Sequence, residues 1–199
     1  MINNFKQIRD LLRFENEHDY YFIQVIKSRK DNPRLNIDSK FIKEYYVFSL
    51  DEFDKLKDDL ICTCELAHAR AYIWLNVRNS DSTALHMIRR LSELIGYGNT
   101  RSALCLCRKV STEQHTDKNP KIIIDVDNDN DLIFAKSVIA DLWKGKSGGY
   151  VIAEIQTPNG IHLITTQFDT DRFMQSCPSI KVSRDRATVL YHPVAITTD

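Results

Sequence analysis

The segment that most restricts this chain's fold is Lys121-Ile122-Ile123-Ile124-Asp125-Val126-Asp127. Its β-branched residues are stiff at χ1 and favour extended backbone. An apolar run without alternation is a buried type of strand, which needs cover from other layers. Residues i and i+2 of a strand face one side, so the carboxylates of Asp125 and Asp127 converge on one point. Two hard oxygen ligands there suit Mg²⁺ or Mn²⁺ held over the phosphates of a nucleotide. Asp129 and Asp131 follow, which raises an EF-hand loop. That reading fails, because the sixth loop position is Asn130 rather than Gly, the twelfth is Lys136, and a strand precedes the loop. The other reading is a solvated acidic turn in which Asn130 or Asp131 caps the next helix.

Around this segment the apolar spacing alternates between strand and helix periods. Tyr20 to Ile26 and Tyr45 to Phe48 read as strands, with a basic loop ending at Asn32-Pro33 between them. Ser49-Leu50-Asp51-Glu52 is a capping box that opens a helix with Phe53, Leu56, Leu60, Ile61 and Cys64 on one face. Ala71 to Leu75 is the next strand. Leu85, Ile88, Leu91 and Ile95 stripe a following helix ended by Gly96, and a shorter helix covers Arg101 to Arg108. After the Ile-rich strand comes a helix with Leu132, Ala135, Val138, Ile139 and Leu142. Tyr150 to Gln156 and Gly160 to Thr166 form a hairpin through Pro158-Asn159-Gly160. The last strand runs from Ala187 to Tyr191. The order predicts an α+β fold of two packed αβ halves with mixed or antiparallel sheets, residues 1–115 and 116–199, in one compact domain.

Composition narrows the function. The 199 residues carry 27 basic and 27 acidic groups, 15 of each in residues 1–100 and 12 of each in 101–199. A non-specific nucleic-acid coat needs a surplus of Lys and Arg, so a local basic groove is the only such reading left. The longest apolar runs fall far short of the ~20 residues that span a bilayer. Met1-Ile2-Asn3-Asn4-Phe5 has no charged n-region leading into an apolar one, which predicts a soluble cytoplasmic chain. The five cysteines, Cys62, Cys64, Cys105, Cys107 and Cys177, include two C-x-C pairs. On a helix, i and i+2 point about 200° apart and cannot chelate one ion, so these thiols are read as reduced and structural.

Thr157-Pro158-Asn159-Gly160-Ile161-His162 is the second informative segment. A two-residue Asn-Gly turn would place His162 opposite Thr157, on the same side as Ile155 and Ile164. His162 is then either a satisfied core residue or a phosphate or metal contact beside Thr157. Ala140 to Ser147 matches a loosened P-loop, but it begins inside a helix and leads into a strand, so it reads as a basic loop. Basic residues gather at Lys27, Arg29, Lys30 and Arg34, and again at Lys181, Arg184 and Arg186, each group beside strand ends. The signatures of α/β-hydrolases, zincins, dinucleotide enzymes and kinases are missing from the sequence.

Together, an h-h-h-D-h-D strand, a helix and a hairpin closing on Gly-x-His resemble the archaeo-eukaryotic primase (primase-polymerase) superfamily. The chain also resembles small phage and prophage proteins that carry Ala-Arg-Ala-Tyr-Ile, Ile-Asp-Val-Asp and Thr-Pro-Asn-Gly-Ile-His segments. The resemblance implies an RRM-like C-terminal half bearing the acids, with Asp125 and Asp127 as catalytic metal ligands. It implies a third acid, Asp185 or else Asp169, and a nucleotide held by Thr157, His162, Arg184 and Arg186. Lys27, Arg29 and Arg34 would contact nucleic acid, single-stranded or primed. Mg²⁺ or Mn²⁺ would be the cofactor, and nucleotidyl transfer in phage or mobile-element replication the activity. The rival readings are a non-catalytic module of the same fold that binds nucleic acid or a replication protein, and a metal-dependent phosphohydrolase.

Overall fold

A computed structural model describes residues 1–113, 116–142 and 150–193. It is an α+β structure with two antiparallel sheets and, among the described residues, six α-helices. In chain order these are β1 (Ile2–Asn3), α1 (Phe5–Arg9), β2 (Asp19–Ser28), β3 (Ser39–Val47), α2 (Leu50–Ala67), β4 (Arg70–Trp74), β5 (Arg78–Asn79) and α3 (Ser80–Gly96). A 3-10 helix (Thr100–Cys105) follows, then α4 (Leu106–Glu113), β6 (Ile122–Val126), α5 (Asp129–Leu142), β7 (Val151–Gln156), β8 (Ile161–Thr165), α6 (Thr170–Ser176), β9 (Lys181–Ser183) and β10 (Ala187–His192). No described helix is long and apolar enough to cross a membrane.

The larger sheet runs β1-β10-β4-β2-β3, with β5 pairing the start of β2. Its two faces are buried by different means. Ile23, Val25, Ala71 and Ile73 join Phe53, Leu60 and Cys64 of α2 and Phe5 and Ile8 of α1. On the other face Phe22 stacks between Tyr46 and Trp74, and the Tyr20 hydroxyl meets Thr83 of α3 and Ser111 of α4, both at 2.9 Å. The capping box forms as read: Ser49 accepts from the Glu52 N–H, and the Glu52 carboxylate reaches back, one residue earlier than the usual partner, to the Phe48 N–H.

The smaller sheet runs β7-β8-β6-β9. Strand parity divides β6 between two cores. Ile122, Ile124 and Val126 pack with Ala135 and Ile139 of α5 and Phe173 of α6, whereas Ile123 joins Ile155 and Ile164 in the core of the larger sheet. Asp125 therefore shares the face that meets the larger sheet. Asn4 ties the two sheets: its side-chain amide donates to the carbonyls of Gln156 on β7 (2.9 Å) and Val189 on β10 (2.8 Å).

Four expectations change. The last predicted strand, β10, belongs to the larger sheet between β1 and β4, and the unforeseen β9 takes its place beside β6. The hairpin pairs Ile155 with His162 and Gln156 with Ile161, so Pro158-Asn159 is the turn centre and His162 does not face Thr157. An Asn-Gly type I′ turn needs positive φ at both central residues, and no residue of this loop has it. Proline instead presets the first central position. Asn128, rather than Asn130 or Asp131, caps α5 by accepting from the Asp131 N–H. The apolar stripe of α3 is exposed; Gly96 is the helix's last residue as read, and Gly98 takes the left-handed φ of +67° just beyond it. Four cysteines are helical as expected, Cys62 and Cys64 in α2, Cys105 in the 3-10 helix and Cys107 in α4, and burial pushes the Cys64 thiol up to about 12. Most of the P-loop-like basic segment lies outside the described residues.

Gly160 is required by a close approach. A Cβ there would sit 2.1 Å from the Val126 carbonyl oxygen and 2.8 Å from the Asp127 Cα. Gly160→Ala is therefore expected to cost about 1–3 kcal/mol in a urea melt. Gly96→Ala, with nothing within 4 Å, should leave stability unchanged or raise it.

Candidate phosphate-binding edge

Three strands and one crossing strand build the site. Asp125 on β6 is paired in register with His162 on β8 and with Lys181 on β9. His162 Nε2 lies 3.3 Å from Asp125 Oδ1, and Nδ1 lies 2.8 Å from Thr188 Oγ1 on β10. The His162 bond holds the Asp125 carboxyl below the usual carboxylate range, with Arg186 and Lys181 adding to the effect against the opposing pull of burial. Nε2 thus faces an acceptor-only carboxylate, which favours the tautomer that carries its hydrogen there. In neutral His162 the Nδ1 lone pair then takes the Thr188 hydroxyl hydrogen, and the ring orientation is set from both sides. The side chains of Asp125 and His162 keep 28% and 12% of their surface exposed, while Thr188 is fully buried. A Thr-His-Asp row is thus present, but its hydroxyl is out of reach of a substrate and cannot serve as a nucleophile.

The expected site residues are only partly brought together. Asp125 and His162 meet, and Arg186 acts on Asp125 through its field. Asp127 stands one residue past β6 and is exposed. The Thr157 hydroxyl is committed to its own turn, accepting from the Gly160 N–H at 3.1 Å. Arg184 donates to the Thr170 hydroxyl at 3.0 Å. Asp169 caps α6 by accepting from the Arg172 N–H. Lys27, Arg29 and Arg34 lie at the far end of β2 and in the loop after it, with Arg29 3.7 Å from Asp38. That end of the sheet pairs with Arg70, whereas the His162 contact is made opposite Ile73, three strand residues or about 10 Å along.

Asp185 is engaged elsewhere. Its carboxylate accepts from Arg78 Nη2 at 2.9 and 3.2 Å and from the Asn76 amide at 3.3 Å. Arg78 is fully buried, with Nε on the Ser111 carbonyl (2.6 Å) and Nη1 on the Asn76 carbonyl. Burial pulls the Arg78 pKa down and Asp185 opposes it. The residue facing Asp125 from β9 is the cation Lys181. Among the described residues no group of three or more His, Cys, Asp or Glu is placed to hold an ion. The donor set at Asp125 therefore does not fit a resident two-metal centre. Sequence reasoning missed Arg78, Asn76 and the positioning role of Thr188. A lone Thr within Ala187-Thr188-Val189-Leu190-Tyr191 was the available signal, since a hydroxyl buried in an apolar strand needs a partner.

Asp185→Ala leaves a buried guanidinium without its counter-charge, and about 3–5 kcal/mol of stability is expected to be lost in a urea melt. Asp125 behaves differently. Its folded pKa is depressed, so its contribution is complete above the ordinary carboxylate value of about 4 and is lost as pH falls through the lower folded value. Asp125→Asn should flatten the acid limb of a stability-versus-pH curve below about pH 4. No family model, no curated protein and no solved structure matches this chain.

Proposed function

We propose that this chain is a primase-polymerase-like binding module whose β6–β8–β9 edge receives the phosphates of a nucleotide or of a single-stranded nucleic-acid end. The β-α-β-β-α-β order of β6 to β9, with strands arranged β7-β8-β6-β9 and both helices on one face, supports an RRM-like reading of this unit. Asp125 on its first strand and His162 on its third support the primase-like one.

The observation that carries binding over transfer is Lys181, which stands opposite Asp125 where a third carboxylate would complete a two-metal site. Lys181 and Arg186 gather positive charge at one edge of a chain with no net charge, and this chemistry suits phosphate oxygens. Asp125 orients the imidazole rather than binding the ligand itself. Base stacking has little place here, because the face of β6 and β8 that carries Asp125 and His162 presents Ile123 and Ile164 and no aromatic ring.

Binding of a labelled nucleoside triphosphate and a short single-stranded oligonucleotide tests this reading. Lys181→Ala and Arg186→Ala are each expected to weaken binding about 10-fold, the scale of one charge-assisted hydrogen bond, and to lower the salt slope by roughly 1. Primer extension is expected to stay at background. Binding unchanged in both variants overturns the site, and robust extension abolished by Asp125→Ala overturns the non-catalytic reading.

A further inference from the structure

Helix α3 carries a second surface, independent of the phosphate edge. It spans 17 residues, and none of them is buried. Thr83, Met87 and Leu94 are half-buried on the side that rests on α4 and the 3-10 helix. The neighbouring stripe faces outward, with Leu85 68%, Ile88 66%, Leu91 38% and Ile95 59% exposed. Tyr97 and Leu104 continue the apolar character past the helix end and onto the 3-10 helix, at 86% and 91% exposed.

An amphipathic helix ordinarily turns this stripe to its own core. Here the six side chains present on the order of 700 Å², above the roughly 300–600 Å² patch of an ordinary monomer and close to the about 800 Å² that each partner gives a standard interface. The charges near the stripe do not select a charged partner, because Arg89 and Arg90 both pair with Glu93 on the helix's own flank.

The spacing identifies the occupant. Ala84, Ile88, Leu91 and Ile95 recur at intervals of four, three and four, the a/d seam that another helix of the same pattern fills by knobs into holes. Set antiparallel, the seam is self-complementary in volume: Ala84 meets Ile95, Ile88 meets Leu91, and the adjoining Leu85 meets Ser92. A parallel pairing would set Ala84 against Ala84 and leave a void at that layer. We propose that α3 packs antiparallel against α3 of a second copy of this chain, about a two-fold axis that passes between Arg89 and Arg90, making the protein a homodimer through this face.

Sedimentation velocity on the full chain tests the proposal. The wild type is expected to dimerise with a Kd in the micromolar range. Ile88→Glu should raise that Kd at least about 100-fold, the scale of an unpaired charge left in an apolar interface, with an unchanged thermal melt when both are compared as monomers at high dilution. Ile88→Lys and Leu91→Glu should each be monomeric alone and form a heterodimer when mixed, because the antiparallel seam brings Lys against Glu. A wild type that remains monomeric at roughly 100-fold above micromolar, or a dimer unaffected by Ile88→Glu, overturns the interface. Failure of the mixed variants to associate, while each alone is monomeric and folded, overturns the antiparallel pairing.

Discussion

The placement of β10 is the constraint on which the rest of the structure depends. The chain completes the smaller sheet with β9 and then crosses to lie between β1 and β4 of the larger one. Because of that crossing, the larger sheet is completed only by strands from both the start and the end of the described chain, with the smaller sheet lying between them in sequence. Among the described residues β1 pairs only with β10, and the Asn4 side chain and N–H are satisfied by carbonyls of Gln156, Val189 and Leu190. Asn4 is itself buried, so each of those bonds counters a desolvation cost that a loose arrangement would leave standing. The same crossing delivers Thr188 to His162, which makes the candidate site a product of the junction and not of the smaller sheet alone.

The turn that carries the chain across holds Asp185, and Asp185 answers Arg78. Burying a guanidinium is unfavourable unless each of its donors finds an acceptor. Arg78 finds the carbonyls of Asn76 and Ser111 and the Asp185 carboxylate, and Asn76 in turn bonds the backbone of Lys121 and Arg184. One polar cluster thereby fixes the β4–β5 turn, the end of α4, the start of β6 and the β9–β10 turn relative to one another. Such a cluster specifies geometry more than it adds stability, since an apolar replacement of equal volume could pack as well.

The elements legible in the sequence were those whose signal is local. The capping box at Ser49, the face of α2 and the Ile-rich β6 need only a few neighbouring residues to declare themselves, and each is where the spacing placed it. The cross-strand meeting of Asp125 and His162 was legible as a shared face, although the turn arithmetic that led there was displaced by Pro158. What escaped depends on distant partners. β1, β5 and β9 are two or three residues long and exist only because a longer strand accepts them. Asp185 read as a third acid because the resemblance implied one on a late strand, but a local position says nothing of an arginine more than a hundred residues away in sequence. The α3 stripe was legible as a stripe, yet a period cannot say whether the matching surface lies in the same chain.

Charge shows the same separation of scales. The sequence is neutral overall and in each half, which argues against a broad electrostatic attraction to nucleic acid. The fold nevertheless concentrates cations locally: Lys181 arrives through β9 and Arg186 through the turn into β10, both around one carboxylate. An acid in that place keeps the imidazole oriented, with Nδ1 on the Thr188 hydroxyl and Nε2 facing the Asp125 carboxylate. With a carboxylate at position 181 the same frame would gather negative charge, whereas Lys181 sets a cation opposite Asp125, in keeping with the proposed anion-binding role. That one side chain on a three-residue strand decides the polarity of the site, whereas the rest of the fold decides only where the site is.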